Sequence, residues 1–340
     1  MIPVIICGGT GTKMWPLSSP RMPKQFLPFI SGKSLFEINW ESLRNRYQPE
    51  EIYIQTNHEQ AKIAKHLIPE IPEENFFYEP ESRNQGPATG LIAALLIKAG
   101  KGTEPFFLIQ VDVLRNPVEK VFAMMDLSEK LALETNKYIT GGFIPNRFVN
   151  GVDFLLKGRL VDEMGGVKIF KVAEYIDRND EEKIKKYIDT GKLLVHTNHT
   201  SITPNNLLRI FKKHKPEWHK PLLNITVGED IGTEFRKMPK GALEEVTQKV
   251  YSAGESLVVE LPFSWTDFGT WESLDRYYKD SEMTPTNGGV VEIDSNNNFC
   301  YSESKKRIAV IGLSNVIIVE GKDGILVCKK EKSGKVGQVV

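Results

Sequence analysis

The sequence predicts an α/β fold: a mostly parallel sheet with helices on both faces over residues 1–282, then a small all-β domain over 283–340. Three observations carry this. Short apolar runs alternate with amphipathic stretches through the first hundred residues, the pattern of strands and covering helices. A glycine-rich turn follows the first apolar run directly. Beyond residue 287 the pattern changes to valine and isoleucine clusters separated by polar or glycine turns, the mark of short strands at near-even spacing.

Taken in order, Val4-Ile5-Ile6-Cys7 reads as the first strand, and Gly8, Gly9 and Gly11 put three glycines in the next four residues. Such a turn brings bare N–H groups close to a ligand, and with a following helix start it favours anions. Lys13 and Lys24 add positive charge at the same place. A helix is expected over 34–46, a strand over 51–57, a helix over 58–68 and a strand over 75–78. A polar segment, 79–89, leads into an apolar helix over 88–99, with Pro87 in its opening turn. A buried strand over 104–111 delivers Asp112 at its C-terminal end. Ligands of parallel sheets collect at such ends, and the glycine turn, the 79–89 segment and Asp112 all fall there. The middle is less regular: helices over 124–133 and 181–188, strands over 138–144 and 167–176, and a helical stretch somewhere within 226–254. The tail strands are spaced more widely than a hexapeptide β-helix repeat.

Composition excludes several classes. The 340 residues carry 44 basic and 44 acidic side chains, a formal charge of zero. That balance gives no field for DNA, RNA or an acidic membrane surface. The three cysteines, Cys7, Cys300 and Cys328, are odd in number and lie in or beside apolar runs, which suits reduced, buried thiols and the cytoplasm. There is no CxxC pair and no zinc spacing. No apolar stretch approaches membrane-spanning length, and the opening residues lack the charged flank of a signal peptide.

Familiar phosphate motifs do not fit. The dinucleotide fingerprint needs a glycine where Met14 stands, and the P-loop ending in Gly32-Lys33-Ser34 would need one at Leu27. Asp267-Phe268-Gly269 matches the kinase magnesium triplet, but no His-Arg-Asp loop or Val-Ala-Ile-Lys strand accompanies it.

Four longer pieces do form a pattern. They are the glycine turn with Trp15-Pro16-Leu17-Ser18 and Pro23-Lys24-Gln25-Phe26-Leu27; Glu79-Pro80 with Arg83-Asn84 and Pro87-Ala88; Trp265-Thr266-Asp267 with Gly269 and Trp271; and Arg307 to Leu313 in the tail. Together they resemble the mannose-1-phosphate guanylyltransferase (GDP-mannose pyrophosphorylase) family of sugar-1-phosphate nucleotidyltransferases, from the first residues to the tail. The resemblance implies a Rossmann-like nucleotidyltransferase sheet and a C-terminal β domain. It implies transfer of GMP from GTP to a hexose 1-phosphate, with mannose 1-phosphate favoured, and release of pyrophosphate. Lys13, Lys24, Asp112 and Asp267 would be catalytic, the two aspartates holding Mg²⁺ or another divalent cation. Gly8, Gly9, Gly11, Thr12, Lys13, Glu79, Arg83, Asn84, Pro87 and Ala88 would bind the nucleotide, Glu79 facing the paired donors of guanine. Lys24, Gly151, Asp177, Arg178, His196 and Asn198 would bind the sugar phosphate. The partners would be these two small molecules, with neither nucleic acid nor membrane; a homodimer is compatible.

The departures from the family pattern concentrate on the sugar side. Thr-Ala has become Gln85-Gly86, and Pro-Ala-Asp-His has become Gln110-Val111-Asp112-Val113. Glu-Lys-Pro reads Asp177-Arg178-Asn179, Asn-Ser-Gly reads His196-Thr197-Asn198, and Gly-Tyr-Gly reads Gly151-Val152-Asp153. Lys13 stands where arginine is usual, keeping charge without the bidentate fork. The aspartate segment expected before Val250 has no counterpart. A second reading therefore stands beside the enzyme: a catalytically impaired nucleotide-binding paralogue with a regulatory or partner role. Bland roles also stand for single residues. Asp267 could cap the helix through Trp271, and Asp177-Arg178 could be solvated turn residues before the helix near Glu181.

Overall fold

The computed structural model describes all residues except 10, 146–151, 262 and 283–288. Among the described residues, twelve strands precede the tail: β1 (Ile2–Ile6), β2 (Tyr53–Thr56), β3 (Phe76–Tyr78), β4 (Phe106–Gln110), β5 (Val113–Asn116), β6 (Tyr138–Phe143), β7 (Phe154–Met164), β8 (Val167–Ile176), β9 (Leu193–His196), β10 (Ser201–Ile202), β11 (Ser256–Glu260) and β12 (Ser264–Asp267). Ten of them form one sheet in the order β11-β8-β7-β9-β6-β10-β4-β1-β2-β3, while β12 pairs with β5 apart from it.

The sheet has two characters. β3, β2, β1 and β4 are mutually parallel. Their side chains alternate between two cores, Val4 and Leu108 on one face and Ile5 and Ile109 on the other, as a sheet covered on both sides requires. Helices α1 (Leu35–Arg44) and α2 (His58–Leu67) cover one face, and α3 (Gln85–Lys98) the other. Ser34 caps α1 through a full capping box with Glu37. Beyond β4, β10 runs antiparallel. There β7, β8 and β9 run antiparallel to their neighbours, and β11 pairs with both β8 and β6. That last pairing closes the far end of the sheet into a ring of five strands.

The remaining helices are α4 (Val118–Thr135), α5 (Glu181–Tyr187), α6 (Pro204–His214), α7 (Pro216–Thr226), α8 (Ile231–Lys237), α9 (Glu244–Ser252) and α10 (Trp271–Asp280). The sequence reading lacked β5, β7, β9, β10, β11, β12, α6 and α7. β7 shows register shifts, and Leu160, Val161 and Met164 are exposed, so no clean alternation marks it. The helix expected over 88–99 begins three residues earlier, because Asn84 accepts from the Gln85 N–H and starts it.

The tail holds β13 (Val290–Ile293), β14 (Phe299–Ser302), β15 (Ile308–Ile311), β16 (Val316–Gly321) and β17 (Gly324–Lys329). β13 pairs in parallel with β15 and β14 with β16, each residue facing the one eighteen positions on. Asn297 donates to Asn315 across the same interval. Each eighteen-residue stretch is thus one turn of a coil, the length of three hexapeptides, so the wider strand spacing read from the sequence does not set the tail apart from a β-helix. The tail packs against α10 and the Trp15 segment through a shared core of Met14, Phe29, Trp271, Phe299 and Ile317.

Candidate active site

A cleft of about 270 Å³ opens at the C-terminal ends of β1 and β4, lined by Gly8, Gly9, Lys24, Glu79, Asn84, Ala88 and Asp112 together with Gln25, Gln55, Ser82, Gln85 and Gln110. Gly9 and Gly11 have φ of +94° and +66°, a region that glycine enters without steric cost. At Gly11 a Cβ would come within 2.7 Å of the Lys24 backbone nitrogen and 2.8 Å of Pro23 Cα. The two halves of the signature are therefore pressed together, which is why one glycine turn alone says little. Gln60 donates to Gly9 O at 3.0 Å and accepts from Gln25 Nε2 at 3.1 Å, tying the turn to the Pro-Lys-Gln run.

Glu79 and Asn84 lie on the opposite wall. Glu79 Oε1 accepts from Arg83 N at 3.2 Å. Burial raises the Glu79 carboxyl above its ordinary range, only partly offset by that N–H. The Arg83 side chain pairs with Glu81 and donates to Met238 O, so it organises the segment from behind. Pro87 is buried in the first turn of α3. Gly86, where the pattern has alanine, is set by packing. A Cβ on Gly86 would lie 2.1 Å from the Trp218 ring, and one on Gly241 would lie 2.6 Å from it.

At the other end, β12 lies antiparallel to β5 with Asp267 facing Val113. Phe268 N donates to Asp112 O at 2.9 Å. Two carboxylates far apart in sequence thus meet at adjoining strand ends. Asp267 ends a strand, and the cap of α10 is Thr270, which accepts from Ser273 N; the capping alternative for Asp267 is set aside. Lys24 Nζ reaches Asp112 Oδ2 at 2.9 Å and Phe268 O at 3.0 Å. For Asp112 burial works against ionisation, but the Lys24 charge and hydrogen bond outweigh it and hold the carboxyl below its usual range. Asp267 is pushed up to about 6 by desolvation and by Asp112, against the pull of Lys24 and Lys13. A carboxylate whose proton affinity is raised by a neighbouring carboxylate favours a cation between the two. Among the described residues no cluster of three or more His, Cys, Asp or Glu side chains could hold a metal. A pair completed by ligand phosphates suits Mg²⁺, which keeps few protein ligands.

Sequence reasoning missed the support behind Asp112. Arg115 donates to His199 Nε2 at 3.1 Å, Asn39 Oδ1 at 3.1 Å and Gln110 Oε1 at 2.8 Å. Burial lowers its guanidinium to about 10. His199 Nε2 accepts there, so its Nδ1 carries the proton and donates to Thr197 Oγ1 at 2.8 Å. Asn39 also donates to Val111 O and Val113 O, clasping the turn that carries Asp112 from both sides. Loss of the family's proline and histidine beside this aspartate was the one available signal.

On the sugar side the strand ends at Ile176, as both Asp177 and Arg178 facing the cleft would require. They part instead. Arg178 turns onto Asp153, with Nε 2.9 Å from Oδ1 and Nη2 2.6 Å from Oδ2. Asp177 is exposed and accepts from Asn179 N at 2.9 Å and Nδ2 at 2.8 Å, closing its own turn. His196 is buried between Thr140 Oγ1 at 3.1 Å and Tyr251 OH at 2.8 Å. Asn198 O accepts from Gln110 Nε2 at 2.8 Å, and its amide donates to Glu244 Oε1 at 2.7 Å. Glu244, at the start of α9, supplies a carboxylate before Val250 that the sequence reading lacked. Gly151 lies outside the described residues.

Glycine turn, lysines and paired carboxylates at the carboxyl edge of a parallel sheet make this chain a nucleotidyltransferase in kind. Residues 2–134 match the nucleotidyl transferase family, and residues 288–340 match the MannoseP isomerase/GMP-like beta-helix domain. Along its whole length the chain is similar to proteins named mannose-1-phosphate guanylyltransferase. A mannose-1-phosphate guanylyltransferase from Salmonella muenchen is 26% identical over 351 residues, covering 100% of this chain and 72% of the relative. An alginate biosynthesis protein from Pseudomonas syringae is also 26% identical, over 100% of this chain and 71% of its own length. A Thermus thermophilus crystal structure described as a mannose-1-phosphate geranyltransferase shares the fold, with a TM-score of 0.85 at 23% identity over 99% of this chain and 97% of that one.

Proposed function

We propose that this chain transfers GMP from GTP to mannose 1-phosphate, giving GDP-mannose and pyrophosphate. The observation that carries this is the meeting of Asp112, Asp267 and Lys24 at the end of the cleft. The reading is supported by the full-length similarity to mannose-1-phosphate guanylyltransferases. A phosphate oxygen of the sugar phosphate attacks the α-phosphorus in line; the bond from that phosphorus to the β-phosphate oxygen breaks, and pyrophosphate leaves. No side chain bonds to substrate, so the protein contributes alignment and charge. The glycine turn and Lys13 take the triphosphate. Glu79 accepts from the paired N–H donors of guanine, a role its half-buried position favours. Lys24 moves from Asp112 to a phosphate oxygen as substrates enter. Asp112 and Asp267 would hold a divalent cation, Mg²⁺, whose chemistry is to neutralise the phosphates and polarise the α-phosphorus. Arg178, already aimed by Asp153, receives the sugar phosphate.

We place the protein in the cytoplasm, with free cysteines and no helix among the described residues long and apolar enough to cross a membrane. The test is pyrophosphate release from purified protein across four nucleoside triphosphates and a panel of sugar 1-phosphates. Turnover with GTP and mannose 1-phosphate above other pairs is expected. Tight GTP binding without turnover on any sugar phosphate would favour the impaired paralogue instead.

A further inference from the structure

The glycine turn is walled from outside the nucleotidyltransferase domain. A nine-residue 3₁₀ helix, Lys330–Gln338, lies against Thr12 and Lys13. A Cβ on Gly337 would sit 3.5 Å from Lys13 Cγ and 3.6 Å from Thr12 Oγ1. Next to it, Val336 is 3% exposed in the core that contains Met14 and Trp271. The β16–β17 hairpin closes the adjoining side. A Cβ on Gly321 would meet Leu17 Cδ2 at 2.7 Å, and one on Gly324 would meet the Trp15 ring at 2.8 Å. Trp271 Nε1 donates to Trp15 O at 2.9 Å from the third side. The Lys330 ammonium pairs with Asp275 of α10 and donates to Asn297 Oδ1 at 3.1 Å, which anchors the start of the segment. Among the described residues, three elements from the last seventy positions of the chain thus clasp residues 12–17.

From this geometry we infer that segment 330–338 is a positioning element for Lys13, so that the β domain sets the affinity of the phosphate site. The inference rests on the proposed binding of a nucleoside triphosphate at the glycine turn. Lysine is a flexible point charge, and its phosphate contact is stronger when less freedom is lost on binding. The Gly337 backbone leaves room for no more than a methyl group beside Lys13 and Thr12, which limits the first torsions of the Lys13 side chain, and the charge of that side chain lowers the proton affinity of Asp267. No residue of the segment lines the cleft, so its effect on the phosphate site runs through Lys13 and its turn.

The test uses full-length Val336→Ala, which loosens the docking, and Gly337→Leu, which pushes into Lys13. Gly337→Ala is the control, because its Cβ finds ordinary contact distances. Both test variants should bind Mg·GTP about tenfold more weakly by calorimetry, with the KM for sugar 1-phosphate unchanged and Gly337→Ala like the parent. Hydrogen exchange of the ligand-free chain should speed up over residues 11–17 in both. In a Lys13→Met background, Val336→Ala should cost no further affinity, since the coupling is lost with its target. Unchanged exchange over 11–17, or affinity losses that simply add to Lys13→Met, would overturn the inference. A parent chain that binds no nucleoside triphosphate would overturn the functional reading instead, and the exchange result would still decide the clasp.

Discussion

Lys24 bridges Asp112 and the backbone of Phe268, its Nζ lying 2.9 Å from one and 3.0 Å from the other. One ammonium thus spans the two strand ends that carry the site's carboxylates. It occupies Asp112 Oδ2 as a cation would, and it leaves Asp267 with a carboxyl pushed up to about 6. The site is preassembled but not electrostatically satisfied, and each of its charges has a separable consequence.

Asp112→Asn and Asp267→Asn should each lower kcat at least about a hundredfold, the usual scale for losing a charge-stabilising group. Both exchanges are nearly isosteric. Because Thr270 caps α10 and the folded chain holds the Asp267 carboxylate against burial and Asp112, Asp267→Asn should leave unfolding stability at neutral pH at or above that of the parent. Urea denaturation beside a Mg²⁺ titration of turnover checks both halves. An Asp267→Asn enzyme with parental turnover and Mg²⁺ dependence would remove Asp267 from the site.

Gly86→Ala restores the small residue of the family pattern and should nevertheless destabilise this chain. The new Cβ would fall 2.1 Å from Trp218, and overpacking costs about 1–3 kcal/mol. The strain falls at the start of α3, which carries Gln85 and Ala88 of the cleft, so GTP affinity should fall with stability. Gly86→Ala combined with Trp218→Leu should recover part of both. Thermal unfolding of the two variants is the measurement, and a Gly86→Ala chain with parental stability would contradict this packing.

The nucleotide half was legible because local rules and tertiary structure agree there. Strand, glycine turn and helix alternate over 1–112, and Asp112 falls at a strand end as the pattern requires. The sugar half was not. β7 has register shifts and exposed apolar residues, so its alternation is lost. Arg115 finds Asn39, Gln110 and His199 only through the fold. The Asp153–Arg178 pair joins a loop to a strand end 25 residues away, a distance no periodicity spans. The coil period of the tail was hidden for a similar reason, since its stacked partners stand eighteen residues apart.

Acid should unfold the protein partly through its buried imidazoles. Burial lowers His196 to about 4, with Asp153 raising it and Arg178 lowering it. His199 shifts the same way, with Arg115 adding to burial. A depressed folded pKa means that the unfolded chain binds the proton first. This contribution is complete above about pH 6.5 and is lost as pH falls through about 4. For His196 it amounts to at most about 3 kcal/mol. The raised carboxyls of Asp267 and Glu79 act oppositely, favouring the folded state as they take up protons. His196→Gln, which can still accept from Tyr251, should flatten the fall in stability between pH 6.5 and 4. Equal slopes in parent and variant would mean that His196 is not held neutral.

Arg178 and Asp177 separate the working sugar site from an ordinary turn. Arg178 makes a two-pronged contact with Asp153, whose side chain is 5% exposed, while its own is 45% exposed. Burial alone would raise the Asp153 carboxyl, but the Arg178 hydrogen bonds hold it below its usual range. Arg178→Ala leaves that carboxylate buried and should cost about 1–3 kcal/mol of stability. Any substrate role must show beyond this loss. The guanidinium is fixed in orientation and half open to solvent, which suits capture of a phosphate. Arg178→Ala should therefore weaken mannose 1-phosphate binding at least about tenfold, the scale of one charge-assisted hydrogen bond. GTP affinity should stay at the parental value, because the nucleotide cleft is lined by other residues. Arg178→Lys should recover the stability in part but not the two-pronged geometry. Asp177→Ala should be nearly silent, since among the described residues its carboxylate serves its own turn. Titrations of GTP and of mannose 1-phosphate against all three variants decide the matter. If Arg178→Ala loses stability while every accepted sugar phosphate binds as before, the pair is a structural clasp and the sugar phosphate is held elsewhere.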